Sequence, residues 1–95
     1  MIEVKRTNNS ITIKGHAHYA EPGKDIVCAG VSTLAQNLIA SIEELTEDQI
    51  KYVIQPGTVD IKHGTLSEEA QLLVKSFFIG FKLIADEYPN HVKLV

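Results

Sequence analysis

The sequence has one cysteine, one methionine, no tryptophan and no excess of basic charge. The single Cys28 excludes an internal disulfide, so core packing alone must hold the chain together. Nine Lys and Arg stand against twelve Asp and Glu. The basic residues are scattered, without basic runs or aromatic–basic interleaving. Direct nucleic acid binding, which is driven by phosphate neutralisation, is therefore not expected. No uninterrupted apolar run approaches the ~20 residues of a bilayer span. Met1-Ile2-Glu3-Val4-Lys5-Arg6 alternates apolar and polar residues, whereas a secretory signal needs a continuous apolar segment. The expectation is a cytoplasmic protein without a membrane partner. Ordinary apolar and charged fractions, 44% and 22%, exclude a disordered chain, and 95 residues make one domain, 1–95.

What is present reads as an alternation of hairpins and helices. Ile2 and Val4 alternate with polar residues, then Ile11, Ile13 and Gly15 alternate with Thr12, Lys14 and His16. Thr7-Asn8-Asn9-Ser10 supplies the turn, so these strands form a hairpin with His16 at the end of the second. Tyr19 to Lys24 is a loop around Glu21-Pro22-Gly23. Asp25 is an N-cap, placing Cys28 at the third helical position. Val31, Leu34, Ala35, Leu38, Ile42 and Leu45 form the apolar stripe of a helix ending near Leu45 or Thr46. Ile50, Tyr52 and Ile54, then Val59 and Ile61, form two more strands around Gln55-Pro56-Gly57-Thr58. A second helix starts at Thr65 or Ser67, buries Leu73, Phe77, Phe81, Ile84 and Tyr88, and stops at Pro89. His91 to Val95 adds a last strand. The fold class is α+β, a mostly antiparallel sheet with two packed helices in the order ββαββαβ. Gly30 and Gly80, inside helices, each cost about 1 kcal/mol against alanine. They mark a close approach of backbone within the fold or from a second subunit.

Chemistry is concentrated in His16 and Cys28. A thiolate, not a thiol, is the nucleophile, and the first turn of a helix favours negative charge. An imidazole at the preceding strand end can take the thiol proton and return it to a leaving amine. Free first-turn N–H groups near Cys28 would hold an oxyanion. Together these describe acyl transfer. Each residue also has a plainer reading. A lone cysteine is most often a small buried hydrophobe. Asp25, whose carboxylate near the thiol would oppose ionisation, is first an N-cap. Ser32, one turn beyond Cys28, can bond the carbonyl one turn back. Gly15 can mark only a bulge. His63 and His91 have no companions and read as surface histidines.

Gly15-His16-Ala17, a loop with Gly23, then Asp25-Ile26-Val27-Cys28-Ala29 and Ser32 resemble the signature of the Prp family of bacterial ribosomal-processing cysteine proteases. The resemblance spans almost the whole chain. It implies a homodimeric protease that removes the N-terminal extension of large-subunit ribosomal protein twenty-seven. It also implies a catalytic dyad of His16 and Cys28, supported by Gly15, Asp25 and Ser32. The loop carrying Tyr19, Glu21 and Gly23 would be a mobile cover over the peptide. His18 is not carried over as functional, and no cofactor is expected.

Two other classes compete. His16 and His18, two apart on a strand, would share a face, and with Cys28 and Glu21 or Asp25 they would make a zinc site. A non-catalytic dimeric module that assists ribosome assembly would use the apolar surface and helix glycines only for protein contacts.

Overall fold

The computed structural model describes residues 1–95. The elements are β1 Ile2–Arg6, β2 Ser10–Lys14, α1 Ile26–Leu45, β3 Ile50–Gln55, β4 Thr58–His63, α2 Glu68–Glu87 and β5 Val92–Leu94. This is the expected order ββαββαβ. The five strands form one sheet in the order β3-β4-β2-β1-β5. β1–β2, β2–β4 and β3–β4 are antiparallel, while β1–β5 is parallel.

The two-residue period of the strands decides which face is covered. The registers Val4 with Ile13, Ile13 with Val59, Ile11 with Ile61 and Ile2 with Val92 gather the apolar residues on one face. Both helices bury their stripes there, in a single core of 17 residues. The other face carries Glu3, Lys5, Thr12, Asp60 and Lys62 to solvent, with Thr12 Oγ1 donating to Asp60 Oδ1 at 2.8 Å. β3 is the edge strand, and only Ile50 of it packs against the core. Its inward-facing Tyr52 and Ile54 stay exposed at the sheet edge.

α1 buries Val27, Val31, Ala35, Leu38, Ile39 and Ile42. Leu45, expected on this stripe, is the last residue of the helix and faces solvent. By length and composition α1 is apolar enough to cross a membrane, but its apolar stripe packs on the sheet and α2. Ser67 caps α2, with Ala70 N–H donating to its Oγ at 3.1 Å, and the helix ends at Glu87, just before Pro89. The helix glycines are explained within the fold. A Cβ at Gly30 would lie 3.2 Å from Ile84 Cδ1, and one at Gly80 would lie 2.9 Å from Leu34 Cδ2. The missing side chains let α1 and α2 approach.

Candidate active site

β2 ends at Lys14, earlier than the alternation predicts. Gly15 takes φ +104°, and a Cβ there would land on the Met1 carbonyl oxygen. Only glycine fits both demands. The chain therefore leaves the sheet at Gly15, whose N–H donates to Gly57 O at 2.8 Å. His16 lies beyond the strand rather than at its end, and His18 follows with φ +54°. The strand argument for a shared His16–His18 face thus fails. Their rings are nonetheless 6.0 Å apart. No group of three His, Cys, Asp or Glu side chains gathers anywhere in a way that would hold a metal ion.

The His16 ring is set against the β3–β4 turn. A Cβ on Gly57 would lie 2.7 Å from His16 Nε2. Met1 N, as an ammonium group, donates to the His16 carbonyl at 2.6 Å. Both ends of the residue are thereby placed, the ring by Gly57 and the backbone by the start of β1.

Asp25 organises the other half of the site. Its Oδ1 accepts from Val27 N–H at 3.0 Å and Cys28 N–H at 2.9 Å, forming the N-cap. Its Oδ2 accepts from Tyr19 N–H at 3.0 Å and Ala20 N–H at 3.4 Å, tying the loop to the helix. Partial burial pushes the Asp25 carboxyl up. The N–H groups of Cys28, Tyr19 and Ala20, with the Cys28 thiol, outweigh it and hold the carboxyl below its ordinary value. The unfolded chain therefore binds more protons than the folded one around that pKa. The contribution of Asp25 to stability is complete above the ordinary carboxylate range and is lost as pH falls through the lowered value. Asp25→Ala is expected to cost about 1 kcal/mol near neutral pH and to flatten the acid limb of a pH series of denaturant melts. An unchanged acid limb would remove this role.

The same cap revises the expected oxyanion donors. Val27 and Cys28 N–H are engaged by Asp25 Oδ1, and Ala29 N–H donates to Asp25 O at 3.0 Å. Of the four amides that open the helix, the cap engages Val27 and Cys28 N–H and leaves Asp25 and Ile26 N–H without a partner.

Cys28 is half-buried, and its Sγ accepts from Ala17 N–H at 3.3 Å. His16 and Cys28 together border two cavities. The larger, about 670 Å³, runs under the loop past Pro22, Gly23 and Lys24 and along α1 to Ser32. The smaller, about 240 Å³, runs between α1 and the β3–β4 turn past Ile13, Val31, Ala35 and Ile54. Ser32 borders both, but its Oγ accepts from Gln36 Nε2 at 2.9 Å rather than bonding the backbone. Of the loop residues singled out in the sequence, Gly23 lines the larger cavity and Glu21 does not. Tyr19 turns away and packs edge-on against Tyr88 and His91, with centroids 5.2 and 5.5 Å apart.

His91 is the residue that spacing conceals. Expected at the surface, it is half-buried, with Nδ1 2.8 Å from Ala17 O. It lies 74 positions from Ala17, so no local motif signals the contact. The one hint is that it follows the Pro89 stop, where the chain must turn back towards the sheet.

A thiol in the first turn of a helix and an imidazole that borders the same two cavities are the groups a thiol hydrolase needs. The chain matches the family described as "Cysteine protease Prp" over residues 1–93 and belongs to it. It is thus a cysteine protease. The ribosomal processing cysteine protease Prp of Mycoplasma genitalium is 33% identical, covering 97% of this chain and 92% of that protein. The protein of the same description from Staphylococcus aureus is 32% identical, over 88% of this chain and 82% of that one. The crystal structure of S. aureus Prp with a covalently linked product peptide superposes with a TM-score of 0.88 at 25% identity, covering 98% of this chain and 94% of that one. The substrate-peptide complex of the same protease superposes at 0.83 with 24% identity, covering 99% and 95%, and supports the fold.

Proposed function

We propose that this protease removes the N-terminal extension of large-subunit ribosomal protein twenty-seven, in the cytoplasm of a bacterium that makes the protein with one, using a Cys28–His16 dyad. The observation that carries the reading is that Cys28 and His16 border the same two cavities. An extended peptide laid through them presents its carbonyl to Sγ. Ile13, Val31 and Ile54 favour an apolar segment in the smaller cavity.

In this mechanism His16 takes the Cys28 proton and Sγ attacks the scissile carbonyl carbon. The C–N bond breaks, the amine leaves with the proton from His16, and a thioester remains. Water, deprotonated by His16, then releases the acid and restores the thiol. In this reading the oxyanion is received by Ile26 N–H, which has no partner within the helix, and by Ala17 N–H, which donates to sulfur. Asp25 supports the dyad by capping the helix and holding the loop, and Gly15 by turning His16 out of the sheet.

The test is incubation of the extended precursor with wild type and with Cys28→Ala, read by intact mass. Loss of the extension with wild type alone supports the reading. An untouched precursor with both overturns the substrate assignment.

The 19–24 loop is proposed to order further over bound peptide. Its amides should exchange more slowly when a substrate peptide is added to Cys28→Ala, and unchanged exchange would count against the cover. A homodimer completes the proposal. Leu72, Ile79 and Leu83 recur along the outer face of α2 and are each at least 66% exposed, an apolar stripe that a second copy can cover. Light scattering should return twice the 10.5 kDa chain mass, and a monomer at micromolar concentration would overturn it.

A further inference from the structure

We infer that His91 is a positioning residue for the thiol site, fixing through the Ala17 carbonyl the N–H that Ala17 directs at Cys28 Sγ. The inference rests on Cys28 being the nucleophile, as proposed above.

The segment that carries Ala17 has little structure of its own. β2 ends at Lys14, and Gly15 and His18 both adopt positive φ. No ladder or helix bond sets the direction of the Ala17 amide, so tertiary contacts must do it: the Met1 ammonium holds the His16 carbonyl of the same peptide group, and His91 holds the next peptide group by the Ala17 carbonyl. Ala17 is 1% exposed and is held at both polar atoms. Its N–H donates to Cys28 Sγ at 3.3 Å, and its carbonyl lies 2.8 Å from His91 Nδ1. A carbonyl only accepts, so Nδ1 carries the proton.

His91 is itself well fixed. Its N–H donates to Tyr88 O at 3.0 Å, and its carbonyl accepts from Ile2 N–H at 2.8 Å, where β1 begins to pair with β5. Tyr19 packs edge-on against the His91 ring and against Tyr88. A chain of contacts thus runs from the α2–β5 turn through His91 and Ala17 to sulfur. Its consequence is electrostatic. An N–H aimed at sulfur stabilises negative charge there, and the benefit depends steeply on its direction. With Val27, Cys28 and Ala29 N–H committed to Asp25, the Ala17 amide is the one N–H that donates to sulfur.

The test reads the sulfur with and without substrate. His91→Ala should slow alkylation of Cys28 by iodoacetamide at pH 7 about fivefold. It should also lower kcat on the precursor about tenfold, with KM within twofold. His91→Asn, whose amide nitrogen falls near the place of Nδ1, should restore most of both rates. His91→Gln carries its amide one carbon further and should not, and it reads the loss in a side chain of similar size should the alanine variant not fold. Leu73→Ala, on α2 away from the site, lowers stability without touching Ala17 and should leave alkylation unchanged.

Wild-type alkylation in the alanine and glutamine variants overturns the positioning role. So does an asparagine variant as slow as the glutamine one, or a Leu73→Ala protein as slow as either. Alkylation needs no peptide. If the rates separate as expected while wild type leaves the precursor whole, the positioning stands and the substrate assignment falls.

Discussion

Cys28→Ala is expected to lower kcat/KM for the extended precursor by at least about 10⁴-fold, to the background of the assay, because it deletes the proposed nucleophile. No neighbour can replace it. Ser32 is one turn away and borders the same cavities, but its Oγ is held by Gln36. The surroundings of Cys28 were organised for sulfur, with the Ala17 amide 3.3 Å from it. The structural cost should be small. Cys28 is half-buried, at the edge of the core rather than within it, so the change in unfolding free energy should stay below about 1 kcal/mol. Intact mass for cleavage and a denaturant melt for stability, taken on the same preparation, separate loss of chemistry from loss of fold. Retained turnover in a folded Cys28→Ala protein would refute the nucleophile assignment.

Helix and strand identity was legible because each element carries its own periodicity and its own stop. Asp25 and Ser67 start the helices, and Pro89 follows the end of the second. The three- and four-residue stripe of α1 failed only at Leu45, where periodicity continues to the helix's last residue but burial does not. The parallel β1–β5 pairing and the order of strands in the sheet had no local signal, since both are set by where the helices return the chain.

The candidates for the site could be chosen from the sequence, but their geometry could not. Cys28 and His16 stood out by residue type and spacing. The alternation of Ile11, Ile13 and Gly15 suggested a strand continuing through His16. The Met1 carbonyl and the positive φ of Gly15 end it sooner, and neither is visible in a pattern of apolar residues. The first-turn amides were expected to be free for an oxyanion. The Asp25 carboxylate commits two of them, a consequence of capping that sequence identifies in kind but not in number. His91 escaped altogether because its partner is a backbone carbonyl, and backbone atoms leave no trace in composition or spacing.

Gly57 lies against the ring of the proposed base, His16, and Gly57→Ala is expected to lower kcat/KM about 100-fold. Two effects act together. Gly57 has φ +76°, where an L side chain is strained, costing about 1 kcal/mol or more in stability. Its added Cβ would also lie 2.7 Å from His16 Nε2, closer than the atoms allow. The turn is held to Gly15 by a 2.8 Å hydrogen bond, so the ring is the freer of the two to move. A displacement on the order of 1 Å in a catalytic group is enough for a 10²-fold loss. Gly57→Asn separates the two effects. Asparagine tolerates positive φ better than alanine but still carries a Cβ, so stability should recover in part while turnover stays low. The loss should fall on kcat more than on KM, and it should not add to that of His16→Ala in the double variant, because both act through one ring. Full additivity would place the effect of Gly57 elsewhere, and wild-type turnover in both Gly57 variants would mean that the position of the His16 ring does not limit the reaction.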